Sequence, residues 1–312
     1  MNPTLWWLAG AHALLVLIMP GLLVGVINRT KAWWGARRGP RWLQAFHDVR
    51  RLLHKRPVVS DQATPLFRLS AYVVLACTLA ALTVTPLLGQ YAPLSFSHDF
   101  VAMAYTLGLG RLLLMLAALD VGSPFEGMGA AREAKLGAFA EPALFLLLGT
   151  LAAATGMTRF ADLLGHVHHT PLYGLIVLPL AAALLILLQT EAARMPVDDP
   201  TTHLELTMIH EVMILDHSGP ELAAMQWAAN LKLTLYAGLL ASLLNPFDPL
   251  QAPLAALGAS VALMLGVAVL VGCIESLTAR LPLVWLPRYV WLAGWLVLAA
   301  AAVVGIVQGG LS

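Results

Sequence analysis

Eight apolar stretches recur along the chain, at roughly 5 to 27, 66 to 88, 99 to 119, 137 to 155, 172 to 190, 228 to 245, 252 to 274 and 286 to 308. Each is long enough to cross the hydrocarbon layer of a bilayer, which takes about 20 helical residues. Lipid offers no hydrogen bonds, so every backbone N–H and C=O in such a segment must be satisfied within it, and the helix is the local solution. The pattern predicts an all-α integral membrane protein of about eight transmembrane helices, with residues 1–312 as a single polytopic domain. The 11% of charged residues never gathers into a polar block large enough to fold separately. The first stretch has no basic segment before it and no small-residue cleavage site before Asn28, which favours a retained span over a removed leader. Glycine, Glu141 and Lys232 interrupt or flank the fourth and sixth stretches.

Basic residues mark the cytoplasmic side of a membrane protein. With eight spans and an external N-terminus, 16 of the 18 Lys and Arg fall in inner loops or their flanks; Arg159 falls outside and Arg111 within the third span. This predicts the inner membrane of a prokaryote with both termini on the outer side.

The inner loop 28–65 contains "PRWLQAFHDVRRLLHK", in which Trp42, Phe46, Val49 and Leu53 recur at helical steps. Pro40 suits the first turn and Pro57 ends the helix. The segment is too short and polar to span, so it is expected to lie along the membrane surface. Two roles are open to it: a solvated basic helix on anionic headgroups, or a docked element.

A second inner loop, 191–226, is unusually acidic. The stretch "LQTEAARMPVDDPTTHLELTMIHEVMILDHSG" holds six of the chain's 17 Asp and Glu. Pro196 and Pro200 forbid a continuous helix, and Asp199 before Pro200 resembles a cap and first turn. A helix over about 200 to 216 is expected, with Leu204, Met208, Glu211 and Leu215 on one face. Arg194 and Asp198, with Asp199, are expected to organise the loop, Arg194 serving as counter-ion to Glu191 and Asp198. Solvated loop carboxylates are the plain reading. The sharper one joins Glu141, Glu191, Glu205, Glu211 and Glu275 into a lateral chain of proton-accepting groups, because a carboxylate at an apolar boundary must be paired or protonated. Asp120 reads as a helix-end residue.

Other chemistry finds little support. Cys77 and Cys273 each sit in an apolar run and cannot form a cluster or zinc site. "HVHH" at 166–169 lies in a short external loop and reads as surface histidine. "HEVMI" lacks the second histidine of a zinc protease motif. His203, His210 and His217 recur every seven residues, a spacing open to a pH-responsive or hydrogen-bonding role. No serine nucleophile motif, phosphate-binding glycine loop or nucleic-acid-binding module is present.

Three segments carry a family resemblance. "RRGPRWLQAFHDVRRLLHK" is similar to the first inner loop, and "EAARMPVDDP" with the later Glu205–Leu206 and Ser218–Gly219 to the acidic loop, of the membrane subunit shared by respiratory complex I (subunit 1 type) and the group 4 nickel-iron hydrogenases. "LDVGSPFEGMGAAREAKLGAFAEP" and "VDDPTTHLELTMIHEVMIL" resemble the formate hydrogenlyase and hydrogenase-4 branch more closely. The chain departs from that branch at Glu126, where glycine is usual, and at Asp216–His217, where Glu-Tyr is usual.

The resemblance implies a membrane-anchoring and proton-coupling subunit without a cofactor of its own, linking a peripheral redox arm to antiporter-like proton-translocating subunits. The nickel-iron site and iron-sulfur clusters would belong to hydrogenase large and small subunits or their homologues. Arg37, Arg38, Gln44, Asp48 and Arg50 are the expected arm interface. A quinone-site subunit of a complex I relative, and a scaffold or ion carrier acting alone, are the alternatives. Nucleic acid is not an expected partner.

Overall fold

A computed structural model describes residues 3–170, 173–199 and 207–310. It contains eight helices long and apolar enough to cross a membrane. They are α1 (Pro3–Trp34), α3 (Pro65–Val84), α4 (Asp99–Asp120), α5 (Pro124–Thr155), α7 (Tyr173–Glu191), α9 (Gly219–Leu244), α10 (Pro253–Leu277) and α11 (Leu286–Gly310). Shorter elements lie between them: α2 (Gln44–Leu53), α6 (Phe160–His166) with a 3-10 turn at Val167–His169, and α8 (His210–Met213). All eight expected spans are present. The fourth and sixth begin earlier than their apolar runs suggest, at Pro124 and Gly219, because polar residues with protein partners extend both helices beyond the hydrocarbon-compatible stretch.

At the extremes, burial and hydrophobicity run opposite to each other. α9 is the least apolar of the spans and the most deeply buried, packed against α1, α2, α3, α7 and α10. α10 and α11 are the most apolar and the least buried. A helix facing lipid must be apolar outside, whereas one enclosed by others can carry Gln226, Asn230, Lys232, Thr234 and Tyr236 on surfaces that lipid never meets.

Connections segregate to two ends. At the basic end, the Thr64 amide and hydroxyl both bond to the Asp120 carboxylate at 2.8 and 2.9 Å, tying the start of α3 to the end of α4. Asp120 is thus the helix-end residue expected. The Ser218 hydroxyl accepts from the Val58 amide at 2.7 Å and donates to its carbonyl at 2.8 Å, joining loop 28–65 to the start of α9. At the opposite end, fully buried Asp99 accepts the amides of Phe96, Phe100 and Phe160.

The amphipathic helix is docked. α1 presents Gly21 and Gly25 one turn apart: a Cβ on Gly21 would lie 2.1 Å from the Phe46 ring, and one on Gly25 2.1 Å from the Trp42 carbonyl oxygen. Phe46 also meets Trp227 of α9, ring centroids 5.1 Å apart. The buried stripe differs from the expected one. Trp42 precedes the helix and lies under the Arg29 guanidinium, 4.4 Å from its ring centroid. Leu53 is 57% exposed, and Leu52 takes the inward position at the proper step from Phe46 and Val49.

The expected helix over 200 to 216 is a further difference. Residues 200–206, including His203, Leu204 and Glu205, lie outside those described. Between 207 and 216 only the single turn α8 is helical, and Met208 is buried while Leu215 is 42% exposed, so they share no face. Side-chain acceptors replace helical bonds here: Asp198 takes the amides of Ile209 and His210 at 3.1 and 2.9 Å, and Glu126 takes that of Asp216 at 3.0 Å.

Docking through glycine predicts a local failure. Gly25→Ala should drive its methyl into the Trp42 carbonyl and destabilise the fold by about 1–3 kcal/mol, with loop 28–65 becoming accessible to protease. Gly10→Ala, which meets nothing within 4 Å, should do neither. Thermal unfolding in detergent with limited proteolysis separates the two.

Candidate functional site

A lone arginine within a span demands acceptors, because an unpaired charge in hydrocarbon costs several kcal/mol. Arg111 of α4 finds three. Its Nη1 donates to Glu141 at 2.6 Å, its Nη2 donates to Glu191 in a very short contact, and its Nε lies 3.3 Å from Glu133. Glu133 and Glu141 stand two turns apart on one face of α5, with Gly137 midway between them. Glu191 is the last residue of α7, and its second oxygen lies 3.7 Å from Lys232 of α9. One guanidinium thereby joins α4, α5 and α7, and Lys232 adds α9. The side chains of Arg111 and Glu191 are 6% and 4% exposed, but that of Glu141 is 46% exposed. Glu141 lies about 21 Å from the far end of α5 at ~1.5 Å per residue, within the depth of the hydrocarbon layer.

A second group orders the acidic loop. The Asp198 carboxylate accepts the amides of Asp199, Ile209 and His210 and pairs with Arg280 at 2.8 Å. Arg280 also donates to the Thr207 carbonyl and hydroxyl, and Arg132 donates to the Met208 carbonyl at 2.6 Å. Arg194 turns to Glu275, 3.5 Å away, which pairs with Lys31 at 2.9 Å. Arg194 is therefore not the counter-ion of Glu191 or Asp198. Those roles fall to Arg111 with Lys232, and to Arg280, because the turn after Glu191 directs Arg194 back toward α10. Asp198 organises the loop as expected, while Asp199 contributes its amide.

A chamber against α2 and two smaller cavities share lining residues in succession. The chamber, of about 270 Å³, is lined by Asn28, Gln44, Asp48, Arg194, His210 and Glu211 among others. Its wall residues Ala192, Ala193, His210 and Ala229 also line a cavity of about 20 Å³ that reaches Arg111, Glu191 and Lys232. A third, of about 10 Å³, lies among Arg111, Glu141, Glu191 and buried Tyr236. The two small ones are each about the size that holds one water.

Electrostatics along the chamber wall are shifted by burial. It raises the Glu211 carboxyl to about 7, helped by the Asp198 charge and opposed by Arg194. It lowers His210 to about 4, with the Lys232 charge acting in the same direction, so this imidazole is neutral at physiological pH. The Asp198 carboxyl is held above its ordinary range by burial, against the pull of its amide donors and Arg280.

Of the residues singled out from sequence, Glu141 and Glu191 meet on one guanidinium, Glu211 faces the chamber, and Glu275 joins Arg194 instead of the Arg111 group. Gln44 donates to Asp48 at 3.1 Å and both line the chamber, whereas Arg37, Arg38 and Arg50 stand exposed. Arg111 and Glu133 are not among the site residues expected from sequence, where Lys232 enters only as an interruption of the sixth stretch. The signals available were an arginine amid apolar residues and the four-residue steps of Glu133, Gly137 and Glu141.

The family model described as NADH dehydrogenase matches residues 8–308. The chain is 31% identical over 287 residues to formate hydrogenlyase subunit 4 of Escherichia coli (strain K12), covering 90% of this chain and 92% of that one. It is also 31% identical over 244 residues to hydrogenase-4 component C of the same organism, covering 77% and 76%. Among solved structures it is similar to a chain of the membrane-bound sulfane sulfur reductase, an archaeal respiratory membrane complex, with a TM-score of 0.81 at 17% identity over 95% of this chain and 99% of that one.

The raised Glu211 pKa has a consequence for stability. A carboxyl whose folded pKa lies above its unfolded value of ~4.3 stabilises the fold below that value and loses the contribution as pH rises through about 7. Glu211→Gln should therefore gain stability over wild type as pH rises through about 7 and show no gain in acid. Thermal midpoints across that range check the sign.

Proposed function

The chain belongs to the NADH dehydrogenase family, and on that premise we propose that it is the membrane-anchoring and proton-coupling subunit of an energy-converting hydrogenase-type complex. In this reading it links a peripheral redox arm, built from hydrogenase large and small subunits or their homologues, to antiporter-like membrane subunits. It sits in the inner membrane of a prokaryote with both termini outside. The nickel-iron site and iron-sulfur clusters belong to the arm, and this chain binds none.

The observation that carries the proposal is the sequence of groups from the chamber to the lateral face. Glu211 and His210 line the chamber, Glu191 and Arg111 line the next two cavities, and Glu141 ends the row, half exposed at bilayer depth. A carboxylate facing lipid is untenable, so that face calls for a neighbouring membrane subunit that receives a proton or covers the charge. At the basic end, exposed Arg37, Arg38 and Arg50 offer the arm a cationic surface.

A quinone site is the second reading. Nearly half the chamber lining is polar or charged, including Asn28, Arg194, Gln226 and Asn230. An isoprenoid tail requires an apolar slot, so the polar wall favours water and protons.

Two experiments test the assignment. Proton translocation in vesicles, at matched complex content, should fall in both Glu141→Gln and Glu191→Gln with the arm still bound; wild-type proton-to-electron ratios in both would sink the path. Simultaneous replacement of Arg37, Arg38 and Arg50 by Gln should release the arm at raised salt, and full co-purification would remove those residues from the interface.

A further inference from the structure

Arg111 reaches carboxylates on two helices at once, and the place where it does so is shaped by a missing side chain. The guanidinium lies across α5 over Gly137, between Glu133 and Glu141. A Cβ there would stand 2.6 Å from Nη1, 3.2 Å from Cδ and 3.4 Å from Cζ. The guanidinium cannot retreat freely, because carboxylates hold it on three sides. Arginine carries donors only and does not deprotonate in proteins, so no proton passes through it. Yet Arg111 and Glu191 line both small cavities, placing the guanidinium between the chamber side and the Glu141 side. Charge adds a second constraint. Glu133, Glu141 and Glu191 face Arg111 and Lys232, so full ionisation leaves one uncompensated negative charge, and one bound proton balances the group.

We propose that Arg111 is a shared counter-ion that makes Glu191 and Glu141 load with protons in alternation, and that Gly137 is the positioning residue that allows it. This rests on the proton-coupling reading above. When Glu191 takes a proton from chamber water, its carboxylate loses its charge and its hold on Nη2, and the guanidinium leans across the Gly137 notch toward Glu133 and Glu141. Its approach favours the ionised form of Glu141, which gives up the group's bound proton at the lateral face. The Glu191 proton then passes by way of a water in the cavity beside Tyr236 to Glu141, and Glu191, ionised again, draws the guanidinium back. One proton enters and one leaves, and the arginine stays charged throughout.

The test measures coupling between the two carboxyls by infrared spectroscopy of the assembled complex in vesicles. The Glu141 carboxyl band is identified by its loss in Glu141→Gln, and its titration midpoint is compared with and without Glu191→Gln. That replacement should move the midpoint, and the displacement should shrink at least about twofold when Gly137→Ala fills the notch. Gly149→Ala, on the same helix with nothing within 4 Å, should leave it unchanged. If Gly137→Ala does not assemble, Arg111→Lys carries the same measurement, because a compact ammonium cannot bridge the carboxylates as the planar fork does. An undiminished displacement in the variant that assembles overturns the proposal. Loss of pumping in Glu141→Gln and Glu191→Gln beside such a result would leave the proton path standing and remove only the shared counter-ion; intact pumping in both would remove the path.

Discussion

The guanidinium of Arg111 sets the terms for the rest of the molecule. Three carboxylates from two helices converge on it, with Lys232 behind them. Each of these ions loses several kcal/mol of hydration on leaving water, and only mutual pairing inside a closed shell of helices offsets the loss. The shell therefore has to exist before the cluster is tolerable. This explains why the least apolar span, α9, lies innermost while α10 and α11 face lipid with their apolar surfaces. Polar helices are permitted here because others shield them.

At the basic end the same requirement is met in another way. Loop segments there cannot satisfy their amides through regular structure, so buried carboxylates do so instead. Asp198 accepts from Ile209 and His210, and Glu126 from Asp216. These anchors hold the acidic loop against the chamber, and Arg280 and Arg132 fasten it from neighbouring elements. The chamber roof is α2, seated in the notch left by Gly21 and Gly25. Glycine thus serves two distant ends alike. At Gly25 it lets backbone approach backbone, and at Gly137 it lets a charged side chain lie flat on a helix.

The contrast between Glu191 and Glu141 follows from position along their helices. Glu191 ends α7, enclosed by α4 and α9, and has two cations. Glu141 lies in mid-helix on α5, with one cation and a half-exposed side chain. A chain that placed both in the same environment would have no direction built into it. Unequal burial gives an enclosed carboxylate on the chamber side and an open one at the lateral face, the asymmetry that the proposed proton path requires.

The sequence by itself determined the eight spans, their alternation and the segregation of basic residues, because hydrophobic length and backbone satisfaction in lipid are local properties. It also marked Glu141 and Glu191 as carboxylates at an apolar boundary and Asp198 as an organiser of the acidic loop. It did not reveal which charge answers which. Arg194 is near Glu191 in the chain, yet pairs with Glu275 of α10, while Glu191 is held by Arg111 of α4, 80 residues away. Nor did it show that Leu52, instead of Leu53, faces inward, or that the acidic loop bends around carboxylates instead of continuing a helix. Counter-ion choice depends on which helix faces come together and how a guanidinium can reach between them. That is a matter of three-dimensional packing, and only the tertiary structure decided it.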